Sequence, residues 1–358
     1  MSRAYFLELA AKNLRMPIGA DLVLHQHLDP AAILIDGPRL GDVIAEAAVS
    51  FGTPLAFPIM DLKLEKAWLL SLLGVPAADV DAHHFTADPG ADAVAQLSAR
   101  LSSEPPPPRV AANLAALRHV AATTPLYPVG MSIGPFSLAT KLLADPIMPV
   151  YLAGAGATAE EDAEVALVER ALQLAQTIVL HSINLQIQAG AKAVFIAEPA
   201  ANQVFFSPKQ LETGTDIFER YALAPNRAIA RLLSAHGVDH LFHCCGEITD
   251  QMLKDFCSLH PVLLSLGSSR RLWEDAALVP RDIVLYGNLP SKRFYSNQLT
   301  PPESVKVMAD ELEAKMRATG HPFILGTECD TLHVEGCGDI ICGKLHRMLN
   351  LIPPVPVE

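Results

Sequence analysis

Three residues in the last third of the chain are of types that bind metals, and their spacing favours one shared site. His243 and Cys245 close the apolar run "HLFHCC" and are two residues apart, so both side chains point to the same side of an extended strand. Cys329 closes a later apolar run, "FILGTEC". One imidazole and two thiolates would give zinc three protein ligands and leave its fourth position open, as in catalytic zinc sites. The spacing therefore predicts a catalytic zinc site.

The spacing alone leaves other interpretations open. A cysteine at a strand end is more often a core residue than a metal ligand, and a lone histidine there is usually just hydrogen-bonded. A nucleophilic Cys245 would need His243 as its base and a third group to orient the imidazole, which the sequence does not supply. Cys337, in "EGCGDIICGK", is an alternative third ligand in place of Cys329.

Polar residues close several other apolar runs. These are Asp61 after "LAFPIM", Glu198 after "AVFIA", Arg270 after "LLSLGSS" and Asn288 after "IVLYG". In an α/β barrel the C-terminal ends of the strands meet at one face, where the active site lies. We therefore expect these side chains to gather with His243 around one pocket, with Asp61, Arg270 and Asn288 binding the substrate.

The elements that would position these residues alternate regularly in the second half of the chain. Such alternation of apolar runs and helical patterns is typical of parallel strands buried on both faces. The predicted strands are 193–200, 240–245, 262–267, 283–288 and 323–329, and the main predicted helices are 160–189, 219–236, 248–258, 271–278 and 302–318.

The first half of the chain is less regular but compatible with the same architecture. Residues 20–28, 55–62 and 126–134 are predicted strands, and the proline-rich segment 102–109 is predicted to be a surface loop. About eight strands in this order predict an α/β fold with a single (β/α)8 TIM barrel over residues 1–358 and an N-terminal extension. A doubly wound sheet is the alternative.

The bulk composition narrows the classes of partner. The 358 residues are 50% hydrophobic and only 18% charged, with a net charge of −12. Nucleic acid binding normally needs clustered Lys and Arg, and an anionic membrane surface needs the same, so we expect neither partner. The first residues lack the pattern of a signal peptide, and no apolar run is long enough to span a bilayer. We expect a cytoplasmic protein whose six cysteines are thiols or metal ligands.

A series of landmarks in the second half resembles a known family. In order along the chain these are Gly190-Ala191, Glu198-Pro199, Ser207-Pro208, His243-x-Cys245-Gly246 and "LGTECDT". Across roughly residues 160–350 the sequence resembles the uroporphyrinogen decarboxylase superfamily, in its corrinoid-dependent methyltransferase branch. The resemblance implies a single (β/α)8 barrel of the uroporphyrinogen decarboxylase type.

The resemblance also implies an activity. His243, Cys245 and Cys329 would hold Zn²⁺, which activates a thiol or related acceptor for methyl transfer from or to a corrinoid. The corrinoid, as a methyl-carrying co-substrate, would arrive on a partner protein or as free cobalamin, since the chain has no "DxHxxG" string of its own. His243 and Glu198 would be catalytic, with Glu198 as a proton acceptor or as a hydrogen-bond partner of the site.

Other activities within the superfamily stay open. One is demethylation of a methyl ether onto a corrinoid protein, and another is decarboxylation. The "RQAGR" motif with which the decarboxylases grip substrate carboxylates is absent, since the corresponding region reads "NLRMPIGADLVLHQH". The methyltransferases typically carry "PGC" before the last ligand, where this chain has "GTEC". A barrel that binds without catalysis is a further alternative.

Overall fold

Eight short strands form one parallel sheet. The structure, a computed structural model, describes residues 2–351. The strands are β1 (Arg15–Met16), β2 (Leu55–Ala56), β3 (Tyr127–Ile133), β4 (Ala193–Ala197), β5 (Asp239–Cys244), β6 (Leu263–Leu266), β7 (Val284–Leu289) and β8 (Phe323–Thr327). Their order in the sheet is β1-β8-β7-β6-β5-β4-β3-β2. Because the first strand pairs with the last, the sheet curls round on itself as in a (β/α)8 barrel, which confirms the predicted fold.

Helices follow the strands and cover the outside of the sheet. They are α1 (Ser2–Ala11), α2 (Ala20–Leu24), α3 (Pro30–Ile33), α4 (Gly37–Ser50), α5 (Leu64–Leu72), α6 (Ala93–Ser103), α7 (Pro108–Thr123), α8 (Pro135–Lys141), α9 (Ile147–Gly154), α10 (Ala163–Gln188), α11 (Pro208–Glu212), α12 (Ala224–Ala235), α13 (Asp250–Cys257), α14 (Leu272–Asp275), α15 (Pro302–Thr319) and α16 (Gly338–Met348). A π-helical turn (Glu219–Leu223) precedes α12, and a 3₁₀ turn (Ser291–Arg293) follows β7. Within residues 2–351, no helix combines the length and apolar character needed to cross a bilayer.

Alternate residues of each strand pack into two separate cores. Ala193, Phe195 and Ala197 of β4 belong to the cluster inside the barrel, whereas Val194 and Ile196 pack among the helices. This is the two-residue period of a strand buried on both faces. The parity of a residue in its strand therefore decides whether its side chain faces the barrel interior or the helical layer.

Helix α1 packs against the N-terminal end of the barrel. Phe6 and Leu9 belong to the same apolar cluster as the interior strand residues. The Arg3 guanidinium donates to the carbonyls of His260 and Asp282, and the Tyr5 ring stacks on Tyr127 at 4.9 Å between centroids. These contacts pack α1 over the N-terminal end of the barrel interior.

Two strand predictions in the first half need correction. Residues 20–28 were predicted as a strand, but residues 20–24 form helix α2, where Leu22, Val23 and Leu24 are all buried. A short apolar run buried on every side has no period that distinguishes strand from helix. Of the strand predicted over 55–62, only Leu55 and Ala56 pair, because Pro58 has no N–H to donate to a ladder. The two-residue β1 was missed altogether.

Candidate metal centre

His243 lies on β5 with its ring inside the barrel. It is 1% exposed and pairs in register with Ser265 on β6. The two side chains are hydrogen-bonded, with 2.8 Å between His243 Nδ1 and Ser265 Oγ. The other ring nitrogen, Nε2, is buried without a hydrogen-bond partner. An Nδ1–H that donates to the serine leaves the Nε2 lone pair unprotonated, which is the form that binds a metal.

Two thiols converge on this imidazole. The ligand atoms of His243, Cys245 and Cys329 all lie within 4.8 Å of one another. Cys245 follows β5 and Cys329 follows β8, so the group forms where the C-terminal ends of two strands meet. The turn after Cys245 must be tight, since a Cβ on Gly246 would lie 2.5 Å from Cβ of Asn202. Among the described residues, no other group of three His, Cys, Asp or Glu side chains is close enough to hold a metal.

The two thiols are coupled electrostatically. The hydrogen bond with Cys329 holds the pKa of the Cys245 thiol well below its usual range, against the opposing effect of burial. The same hydrogen bond, together with burial, holds the pKa of the Cys329 thiol well above its usual range. Without a cation between them, the pair therefore keeps one proton, because two adjacent buried thiolates repel each other. A divalent cation would remove that repulsion.

The donor set fits zinc. Nitrogen and sulfur ligands are those that zinc prefers, and structural zinc sites normally use four of them. Here three converge, and an unpartnered Nε2 is one of them. The residues present are therefore compatible with a zinc ion that keeps one position for another ligand.

Comparison with known proteins places the chain in a family. Residues 89–334 match the sequence model of the family described as Uroporphyrinogen decarboxylase (URO-D). The chain belongs to the uroporphyrinogen decarboxylase family. Among solved structures, the fold is similar to a methyltransferase from Methanosarcina mazei, with a TM-score of 0.62 and 16% sequence identity over 94% of this chain and 91% of that one. No curated protein matches the sequence.

The side chain of Glu198 does not face the candidate metal centre. Glu198 lies two residues after Ile196 and so points to the same, helical side of the sheet. Its buried carboxylate accepts hydrogen bonds from Ser137 N at 2.5 Å and Asn226 Nδ2 at 2.8 Å. Burial raises the pKa of Glu198, and these donors oppose the shift. Its link to the centre is indirect, through Glu198 N, which donates to His243 O at 2.8 Å. The placement argues for an anchoring role instead of the catalytic role expected from the sequence.

The expected substrate-binding role of Arg270 is not supported by its contacts. Its guanidinium forms ion pairs with Asp275 and, at 2.8 Å, with Asp250, and it donates to Ile248 O at 3.2 Å. With its charge already paired, this arginine holds the loop after β6 against helices α13 and α14. Asn288 holds the same loop in place, since its Nδ2 donates to Gly267 O at 2.8 Å and Arg270 O at 2.9 Å.

Asp61 follows Met60, whose sulfur lies 3.9 Å from Cys329 Sγ, but the contacts of the Asp61 carboxylate are elsewhere. Its carboxylate pairs with Arg109 at 2.7 Å and lines a cavity of about 50 Å³ between β3 and helices α4 and α7. None of the three metal-centre residues lines that cavity. The charge of Asp61 is already paired with Arg109, so these contacts give no support to the substrate role, which stays a prediction.

Of the two alternative third ligands, Cys329 is the one that lies near His243. Cys337 precedes helix α16, where it packs against the apolar cluster outside the barrel. The choice between them was open in the sequence because both follow β8. Cys329 lies just after the end of β8, at the barrel mouth, whereas the chain carries Cys337 on to the next helix.

Sequence reasoning missed two polar residues of this centre. Ser265, which orients His243, is a single polar residue within the apolar run "LLSLG", and that interruption was a usable signal. Lys292 lies on the 3₁₀ turn after β7, and its positive charge contributes to the lowered pKa of the Cys245 thiol. No pattern in "NLPSKRF" points to that placement, because it depends on how the turn folds over the barrel mouth.

Proposed function

We propose that the protein is a zinc-dependent methyltransferase that moves a methyl group between a corrinoid and a thiol or related acceptor. The observation that carries the proposal is the convergence of one unpartnered imidazole nitrogen and two thiols at the C-terminal ends of β5 and β8. His243, Cys245 and Cys329 would hold the zinc. Membership of the uroporphyrinogen decarboxylase family and the fold shared with a methyltransferase support the assignment.

The proposed chemistry divides between the bound groups and the chain. Zinc at a site with an open position lowers the pKa of a bound thiol and holds its sulfur ready to react, and the corrinoid carries the methyl group. The chain fixes the geometry: Ser265 orients the ring of His243 through a hydrogen bond to Nδ1, and Glu198 anchors the strand end through its backbone bond to His243.

A corrinoid protein is the partner we propose, with free cobalamin as the other source of the corrinoid. Large apolar side chains are exposed on the loops that follow β4, β7 and β8, the strands around the proposed centre. They are Val204 (62% exposed), Tyr295 (42%), Leu299 (55%), Leu332 (52%) and Val334 (39%). Apolar residues exposed around a site are typical of a surface that another protein covers.

The contacts of Arg270 disfavour the decarboxylase alternative. A decarboxylase of this family would need arginines free to bind substrate carboxylates, and Arg270, the arginine predicted for that role, is paired with Asp250 and Asp275. We also infer that the described residues 2–351 form one barrel domain, as predicted over 1–358, with helix α1 as an N-terminal extension; residue 1 and residues 352–358 lie outside the described residues.

The test follows methyl transfer by visible absorbance. Protein with measured zinc content is mixed with methylcobalamin and a panel of thiols, and then with reduced cobalamin and methyl ethers to examine the reverse direction. We expect close to one zinc per chain and a change in the cobalt–methyl spectrum with thiols. His243→Ala should lose both, whereas Cys257→Ala, on helix α13 outside the barrel, should keep both. Full zinc content without any spectral change, together with release of carbon dioxide from a carboxylated substrate, would establish the decarboxylase alternative.

A further inference from the structure

A cavity lies beside the short strand β2. This strand pairs with β3 only at Leu55 and Ala56. Further along β3, the side-chain amide of Gln186 on helix α10 takes the place of a strand neighbour: its Oε1 accepts from Met131 N at 2.7 Å, and its Nε2 donates to Met131 O at 2.8 Å. The cavity lies between this part of β3 and helices α4, α5, α7 and α10, and none of the three metal-centre residues lines it.

Part of the cavity wall is polar and buried. Glu65, on helix α5, is 4% exposed, and its carboxylate accepts hydrogen bonds at 3.0 Å from the hydroxyls of Ser132 and Ser182. Gln186 Nε2 donates in turn to Ser182 Oγ at 3.3 Å. Both serines donate to Oε1, and no side chain among the described residues donates to Oε2. The second carboxylate oxygen of this lining residue therefore has no side-chain partner.

The charge of Glu65 is not balanced by the protein. None of the ion pairs formed among residues 2–351 includes Glu65. No Lys, Arg or His is among the described residues that line the cavity, and its other acid, Asp61, is already paired with Arg109. A buried carboxylate without a partner is unfavourable, and burial raises the pKa of Glu65 to about 7. A cation bound in the cavity would supply the missing charge.

Most of the other lining residues are apolar. Ile44 on α4 and Val110, Leu114 and Leu117 on α7 are among them. The cavity volume of about 50 Å³ leaves room for a ligand of about four or five heavy atoms, at roughly 10–15 Å³ for each. A ligand that fits both kinds of wall has a cationic end and a short apolar chain.

We infer that this cavity is a binding site for a small primary ammonium compound, whose charge pairs with Glu65 and whose alkyl chain packs against helices α4 and α7. An ammonium group has three N–H donors and no acceptor, which suits a wall made of a carboxylate and two hydroxyl oxygens. A neutral alcohol of the same size offers one donor and no charge. The site is separate from the metal centre, and the inference does not depend on the proposed methyl transfer.

The test is isothermal titration calorimetry at pH 8 with n-butylamine and 1-butanol, which differ in charge but hardly in size. The amine is protonated at this pH, as a lysine side chain is. We expect n-butylamine to bind about 10- to 100-fold more tightly than 1-butanol, the value of one charge-assisted hydrogen bond. Glu65→Gln keeps an acceptor for both serines and should weaken amine binding by the same factor, while 1-butanol binding changes by less than about 3-fold.

Glu46→Gln is the matched control, because it removes the same charge from an exposed position on α4, where Glu46 contacts His27. It should bind n-butylamine like the wild type. Val110→Phe should weaken binding of both probes, because its ring takes up part of the cavity; a folded Val110→Phe protein that binds the amine normally would overturn the inference. Absence of amine binding by the wild type, equal affinity for amine and alcohol, or equal effects of Glu65→Gln and Glu46→Gln would also overturn it. The comparison of the two probes on the wild type decides the matter even if a variant does not fold.

Discussion

Replacement of Glu198 separates an anchoring role from a catalytic one. The carboxylate is fully buried and accepts hydrogen bonds from Phe136 N at 3.4 Å, Ser137 N at 2.5 Å and Asn226 Nδ2 at 2.8 Å. In Glu198→Ala these three donors lose their acceptor. An unsatisfied buried donor costs about 1–3 kcal/mol, and water entering the vacated space recovers part of the total, so we expect a loss of about 3–5 kcal/mol in the free energy of unfolding.

The assay is urea unfolding followed by circular dichroism, combined with metal analysis of the folded variant. Asn226→Ala is the control, because it removes one donor and leaves Glu198 both backbone N–H groups. It should cost about 1–2 kcal/mol. The double variant should cost less than the sum of the two single variants, because both remove the same hydrogen bond.

The metal content of the folded protein distinguishes the roles. If Glu198 is an anchor, folded Glu198→Ala keeps its zinc, since its carboxylate is directed to the helical layer. A variant that is as stable as the wild type, binds zinc fully and has lost methyl transfer would refute this reasoning. Glu198 would then act in the chemistry, as its position at a strand end first suggested.

The remaining predictions concern the metal ligands and a buried carboxyl group. Cys329→Ala should reduce zinc from close to one per chain to near zero by elemental analysis, while Cys337→Ala keeps it; the reverse result would identify Cys337 as the ligand. Ser265→Ala should weaken zinc binding about 10- to 100-fold in a chelator competition, because His243 loses the partner that orients it; unchanged affinity would exclude that role. Burial raises the pKa of Glu65 from 4.5 to about 7, so native protein binds its proton more tightly than the unfolded chain, and stability falls as pH rises through this interval. Glu65→Gln should remove about 3 kcal/mol of that decline in urea unfolding at pH 4.5 and 8, and an unchanged pH dependence would show that Glu65 does not titrate there.

The architecture in the second half of the chain was predictable from local pattern. Strands β4 to β8 are short apolar runs separated by helices, and each predicted range overlaps the observed strand. Parallel strands buried on both faces leave this signal because neither face can be polar. In the first half only β3 was predicted well, since β1 and β2 are two residues each and depend on their neighbours in the sheet for pairing.

The spacing of His243 and Cys245 places both side chains on one side of a strand, a local property that needs no tertiary information. Which distant cysteine completes the group depended on the curling of the sheet, which brings Cys329 at the end of β8 close to His243 and Cys245. The direction of the Glu198 side chain also depends on the tertiary structure. In the register of β4 against β5, Ala197 pairs with His243 on the inside of the barrel, so the next residue faces the helices. Residue types and spacing along one strand thus determined the kind of chemistry to expect, while the closure of the sheet decided which side chains meet, because contacts between strands join residues that are far apart in the sequence.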